Sequence, residues 1–268
     1  MGKRMAVLAD LHCGHLVGLT PPRWQVTPTK SDGRTKRDKY AEIQKEAWAW
    51  YLKNITSRGP FDVIVVNGDA IDGKGARSGG TELITSDRHE QVQMAAQAIL
   101  RAPKAKGCKT ILTYGTAYHT GDGEDFENAL ADEVNATKIG SHEWVDMGGV
   151  VFDFKHHVGG SQIPHGRSTA INREALWSAI WAETDYTPTS NVVIRSHVHY
   201  FGFAGGDIEP ALRITTPALQ AMGTKFGSRR CSGTVSFGFL TFTVDKGVMT
   251  WEPVLGKLKT QKATAIKV

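Results

Sequence analysis

Five short apolar runs lie along the first two hundred residues, and each stops at side chains that can hold a metal or a proton. The run at 5–9 stops at Asp10-Leu11-His12, and the run at 61–66 at Asn67-Gly68-Asp69. The run at 109–114 leads into Gly115-Thr116-Ala117-Tyr118-His119, that at 150–154 into Lys155-His156-His157, and that at 191–194 into Arg195-Ser196-His197-Val198-His199. Unbroken apolar runs of this length read as buried strands. Between the first two, apolar residues at 43, 47, 48, 51, 52 and 55 have the period of an amphipathic helix, which Arg58-Gly59-Pro60 stops. Further helices are predicted over 86–101, 124–134 and 168–183. Beyond residue 200 only strands are predicted, over 212–215, 235–244 and 248–253, with hairpin-turn chemistry at Asp245-Lys246-Gly247. The pattern predicts an α/β layered core closed by a second, mostly antiparallel sheet, in a single domain spanning 1–268.

The segment at about 13–40 has no periodicity and is rich in Gly, Pro, Thr and charge. So long an unpatterned stretch in a compact domain predicts a functional loop or lid. Because it leaves directly from Asp10-x-His12, it is expected to border whatever site that motif builds.

Composition narrows the function classes. No run approaches the ~18 apolar residues of a membrane span, so no membrane association is expected. The apolar run at the start is shorter than a signal core and ends in an aspartate, which predicts a cytoplasmic protein. Three cysteines, Cys13, Cys108 and Cys231, contain no CxxC pair, which excludes a disulfide framework and a thiolate zinc site. The net charge of +5 and pI of about 9.0 suit a phosphate-bearing substrate without identifying nucleic acid. The basic residues gather at Lys30, Arg34, Lys36, Arg37 and Lys39, and again at Lys257, Lys259, Lys262 and Lys267.

The strand-end clusters carry the chemistry. Ligands of open α/β sheets gather at the carboxyl ends of strands. Residues two apart on an extended chain point the same way, so each Asp-x-His or His-x-His pair can grip one site. Six of the ten histidines stand at such ends: His12, His119, His156, His157, His197 and His199. Imidazole and carboxylate donors in this number define a metal site. Serine-hydrolase and P-loop chemistry are excluded, since neither Gly-x-Ser-x-Gly nor Gly-x4-Gly-Lys-Ser/Thr occurs.

In order and type, Asp10-x-His12, Gly68-Asp69-x-x-Asp72, a histidine after a strand, and Ser196-His197-x-His199 resemble the calcineurin-like metallophosphoesterase superfamily over about residues 5–200. The spacing is similar to that of phage-type members. The resemblance implies a layered α/β/β/α sandwich with two mixed central β-sheets and a binuclear centre. One divalent ion would take Asp10, His12, Asp69 and His199; the other would share Asp69 and add His156 and His197. His156 is preferred over His157 because it comes first after its strand. Manganese is the expected ion, with Fe, Zn²⁺ or Ni²⁺ as alternatives. The implied reaction is phosphoester hydrolysis by an activated hydroxide with Asp69 at its centre, acting on phosphodiesters in DNA, RNA or nucleotides; the alternatives are a phosphomonoesterase and a non-catalytic binding module.

Two departures from the family pattern stand out. Ser196 replaces a glycine, and Gly115-Thr116-Ala117-Tyr118-His119 replaces Gly-Asn-His-Asp/Glu, so the asparagine ligand is missing. His119 is then either the general acid, which is favoured, or a substitute ligand. Asp72 is expected to fix the turn after Asp69. For substrate contacts the candidates are Arg167, for a phosphate oxygen, Trp24 in the early loop, and His157.

Overall fold

The computed structural model describes residues 2–27, 36–121, 125–161, 163–205, 211–224, 235–261 and 265. Two sheets lie face to face. The first has the order β11-β10-β1-β2-β3-β4, built from β1 (Lys3–Leu8), β2 (Phe61–Asn67), β3 (Lys104–Thr113), β4 (Lys138–Gly140), β10 (Phe237–Asp245) and β11 (Val248–Gly256). The second has the order β5-β6-β7-β9-β8, from β5 (Glu143–Met147), β6 (Val150–Lys155), β7 (Val192–Arg195), β8 (Gly202–Ala204) and β9 (Leu212–Thr215). Both sheets are mixed. β1 to β4 run parallel, with β10 and β11 antiparallel beyond β1. In the second sheet β6, β7 and β9 run parallel, with an antiparallel strand at each edge.

Side-chain alternation along the strands creates the layers. Ala6, Leu8, Ile64 and Val66 face α1 (Lys36–Arg58), α2 (Arg88–Leu100) and α4 (Phe126–Glu133), where Tyr51, Met94, Ile99 and Leu130 complete one core. Met5, Val7, Val63 and Val65 face the other way and meet Phe152, Phe154, Val192, Ile194 and Ile214 of the second sheet. Outside that sheet, α5 (Arg167–Glu183) packs Ile171 and Ala175 on Val193. The result is an α/β/β/α sandwich with two mixed sheets. Aspartates start two of the helices: Asp87 accepts from the backbone N–H groups of His89 and Glu90, and Asp125 from those of Glu127 and Asn128.

Two details differ from the sequence expectations. Of the trailing strands only that at 212–215 joins the second sheet, as β9; the last two, β10 and β11, belong to the first. β10 pairs with β1, putting Phe239 against the helices and Leu240 and Phe242 between the sheets, so it is a central strand buried on both faces. The second sheet comes from the middle of the chain. α1 begins at Lys36, seven residues before the first of the periodic apolar positions, Ile43. In the lid-like segment Cys13, Val17, Leu19 and Thr20 are buried, Pro22–Trp24 makes one 3-10 turn with Pro22 and Arg23 exposed, and His15 lines the cavity described below. The rest of that segment, with Lys30 and Arg34, lies outside the described residues, as do Glu124, Cys231, Lys262 and Lys267. Among the described residues no helix is long and apolar enough to cross a membrane.

Candidate metal centre

β1, β2, β6 and β7 direct their carboxyl ends to one edge of the sandwich, and the loops leaving them converge there. Asp10, His12 and His199 form one group in which a donor atom from each lies within 4.8 Å of the others; Asp69, His156 and His197 form a second. His199 Nε2 is 3.2 Å from Asp10 Oδ1 and 3.2 Å from His12 Nε2. His156 Nε2 is 3.0 Å from Asp69 Oδ2, and His197 Nδ1 is 3.9 Å from the same oxygen. Asp10 Oδ1 lies between the groups, 4.0 Å from both His12 Nε2 and His156 Nε2.

The backbone that aims these side chains is not extended. Asp10 (φ 51°), His12 (φ 44°), Asp69 (φ 49°), His197 (φ 71°) and His199 (φ 56°) are all left-handed. This corrects the picture of paired ligands on an extended strand end: β1 stops at Leu8 and β7 at Arg195, and each pair projects from a tight turn beyond. Non-glycine residues in this region are uncommon and collect at functional sites. The turns are pinned from below. Asp10 N–H donates to Gly68 O and His12 N–H to Asp69 O. Asn67 donates to Ser196 Oγ at 2.7 Å, and Ser196 N–H donates to His156 O, which ties three ligand loops together. Ser196, the departure from glycine, is therefore a buried hydroxyl with two polar partners, since Thr216 Oγ1 also lies 2.8 Å away.

The outer hydrogen bonds fix which nitrogen of each ring faces inward. His156 Nδ1–H donates to Asn67 O at 2.7 Å and His12 Nδ1–H to Asp72 Oδ1 at 2.9 Å, which leaves both Nε2 atoms turned to the centre. Asp10 Oδ1, His156 Nε2 and His197 Nδ1 are buried without a well-aligned hydrogen bond, and their near polar neighbours, at 3.2, 3.0 and 3.9 Å, are other members of the same cluster. Buried polar atoms are seldom left so. Three of them converging from three strands, as nitrogens and a carboxylate oxygen, is the donor set a divalent cation takes.

Electrostatics point the same way. Burial works against the charge on Asp69, but the histidines around it, His156 and His197 foremost, hold its carboxyl well below the usual range. Asp10 is lowered despite burial, through His199 and then His156. Against its own burial, His156 is raised to about 9 by Asp69 and Asp10. Burial, with the charges of His119 and His199, drives His12 well below its ordinary value.

His119 stands on the short α3 (Ala117–Thr120). Its Nδ1–H donates to Asp72 O at 2.8 Å, its Nε2 is 4.0 Å from Asp69 Oδ2, and its ring meets His12 edge-on at 4.5 Å. Asp72 thus reaches both histidines, through its side chain and its carbonyl, besides following the turn. Thr116 stands beside Asp69 in the segment that lacks asparagine. Its N–H donates to Asp69 Oδ1 at 2.7 Å, and its hydroxyl lies 3.1 and 3.3 Å from the two carboxylate oxygens.

His157 is exposed, its ring 4.7 Å from that of His197 at the rim. Arg167 stacks on Tyr200 at 4.6 Å and is not among the residues lining the cavity in front of the histidines. Trp24 does not reach that cavity either. Its indole N–H donates to Glu90, and it lines a separate groove with Arg23, Gln93 and Arg101, because the chain carries it around to the α2 side. The cavity, about 300 Å³, is walled beyond the metal-capable residues by His15, Ser78, Glu82, Tyr118, Gln220 and Thr224. The strand-end pattern passes over these residues. They come from loops that tertiary packing brings together, and only the Gly-rich stretch at 73–80 hints at such a wall.

No protein-family model matches the chain, and no curated protein matches it. Among solved structures, it is similar to an archaeal phosphodiesterase, at 15% identity over 94% of this chain and 99% of that one, with a TM-score of 0.44. It is also similar to zinc-complexed Vps29 from Entamoeba histolytica (13% identity, 94% and 98% covered, TM-score 0.42). A third is a predicted phosphoesterase from Streptococcus pneumoniae (10% identity, 91% and 84% covered, TM-score 0.38).

Proposed function

We propose that the chain is a two-metal hydrolase of phosphoesters, with phosphodiesters of nucleic acids or nucleotides as its preferred substrates. The observation that carries this reading is the meeting of two His/Asp groups at one sandwich edge, with inward-facing atoms that make no well-aligned hydrogen bond. In this reading Asp10, His12 and His199 would hold one divalent ion and His156 and His197 the other, with Asp69 a donor for both. Manganese is the first ion to test, and Fe, Zn²⁺ and Ni²⁺ also suit imidazole donors. Bound there, a pair of cations polarises the phosphoryl group and acidifies the attacking water.

The protein's own groups do the rest. Thr116 orients Asp69 through its N–H and hydroxyl. Asp72 fixes the His12 ring, and its carbonyl fixes that of His119. With Nδ1–H engaged there, a protonated His119 presents Nε2–H to the cavity and gives that proton to the departing ester oxygen.

The deciding experiment compares bis(p-nitrophenyl) phosphate with p-nitrophenyl phosphate at matched Mn²⁺, followed by single-stranded DNA. Faster diester turnover is expected, with loss of turnover in Asp69→Asn. An Asp69→Asn protein that binds metal and retains full activity would refute the two-metal reading.

A further inference from the structure

His15 lies five residues beyond Asp10, in the same loop as His12, and no role follows for it from its spacing. It is 7% exposed and lines the cavity in front of the metal-capable cluster. The backbone N–H of Val17 donates to His15 Nδ1 at 3.1 Å. A backbone N–H can only donate, so Nδ1 must carry the lone pair and Nε2 the proton. The neutral ring is favoured further by burial, which holds His15 below its ordinary value.

The tautomer decides what this ring can do. With its proton on Nε2, it offers no lone pair to a cation on that side. It cannot serve as an acid without Nδ1 gaining a proton and losing the Val17 N–H. What remains is one neutral N–H donor. Among the described residues the side-chain hydrogen bond of the ring is the one from Val17, and the ring stands on the cavity wall, near enough to Asp72, His119 and His199 to feel their charges. A ring N–H on the wall of a cavity can donate to a ligand bound there.

We propose that His15 is a substrate-binding residue of this centre, donating Nε2–H to an oxygen of the phosphoryl group. The proposal rests on the phosphoester reading above. The loop after β1 would then have two duties: Asp10 and His12 serve the metals, and His15 serves the substrate. Inorganic phosphate, the chemistry shared by all phosphoester substrates, is the probe.

Asn and Gln separate the two edges of the ring. His15→Asn can place an oxygen near the position of Nδ1, which keeps the Val17 contact and removes the outer donor. His15→Gln can reach the position of Nε2 and gives up the Val17 contact. The measurements are metal content, Kd for inorganic phosphate by calorimetry on the Mn²⁺-loaded protein, and kcat/KM for bis(p-nitrophenyl) phosphate. In His15→Asn, folding and metal content should match wild type, while phosphate binding and kcat/KM fall on the order of 10- to 100-fold. His15→Gln should retain more of both than Asn does. The reverse order, with Asn like wild type and Gln impaired, assigns His15 to loop structure alone and overturns the proposal. So does unchanged phosphate affinity in both variants of a wild type that turns over the diester. A wild-type protein that neither turns over phosphoesters nor binds phosphate overturns the functional reading, and this proposal with it.

Discussion

Asp72 Oδ1 lies 2.9 Å from His12 Nδ1, which makes a carboxylate outside the proposed ligand set responsible for the direction of a ring inside it. Without Asp72 the imidazole loses both its fixed tautomer and its fixed plane. Asp72→Ala should therefore weaken metal affinity ~10- to 100-fold with every ligand still present. Calorimetric titration of the metal-free variant with Zn²⁺ or Mn²⁺ checks this, and an unchanged isotherm would remove Asp72 from the metal centre.

His119 is tested by what its loss spares. As a general acid it can be deleted without losing either metal, and His119→Ala should slow esters with poor leaving groups ~10²- to 10⁴-fold. A nitrophenolate leaving group needs little protonation and should suffer much less. Metal analysis beside a leaving-group series decides the matter: loss of one ion, with all leaving groups affected equally, would make His119 a ligand.

Gly115 approaches Asp69 so closely that an added Cβ would collide with the aspartate's Oδ1 and backbone nitrogen. Gly115→Ala should push the carboxylate out of line, reduce metal content by about half and abolish turnover, with far-ultraviolet circular dichroism unchanged. A fully loaded, active Gly115→Ala protein would contradict the placement of Asp69.

Glu127, on α4, accepts from Gly115 N–H at 2.7 Å and is almost fully buried. Burial is the main reason its carboxyl rises to about 8 from an ordinary value of 4.5, and the charge of Asp69 adds to it. The native state of the metal-free protein thus keeps a proton that the unfolded chain releases. The stability linked to that proton is complete below pH ~4.5, declines as pH rises towards ~8, and is then lost, to a total of up to ~5 kcal/mol. Glu127→Gln stays neutral and should abolish that decline. Urea denaturation at pH 5 and pH 8.5 measures it; parallel losses in wild type and variant would show that Glu127 does not hold a proton.

Strands with continuous apolar runs were the most legible part of the fold. β2 and β9 start at the positions their patterns predict, and the five clusters that follow apolar runs do lie together. What escaped notice had little apolar signal. β4 is only Lys-Ile-Gly, β8 is Gly-Phe-Ala, and the polar first half of β3, from Lys104 to Cys108, has a largely exposed pattern. The partner sheet of β10 could not be read from its composition, because Leu240 and Phe242 would suit either sheet's inner face. At the site, the ligand types could be read because Asp and His announce their chemistry. Thr116, Glu127 and His15 could not, since their roles depend on which nitrogen or oxygen a folded neighbour leaves for them.

The left-handed turns at Asp10, His12, Asp69, His197 and His199 also limit which residues the centre can accept. Among non-glycine residues, asparagine, aspartate and histidine enter that backbone region most readily, and branched or bulky ones resist it. The backbone therefore filters for nearly the same short alphabet that the cation requires. Glutamate or cysteine could supply a donor atom at these positions, but each would have to pay for the turn. Exchange among ligand types is thereby narrowed before any ion arrives, and a graft of this centre onto another scaffold would have to carry the turns along with the side chains.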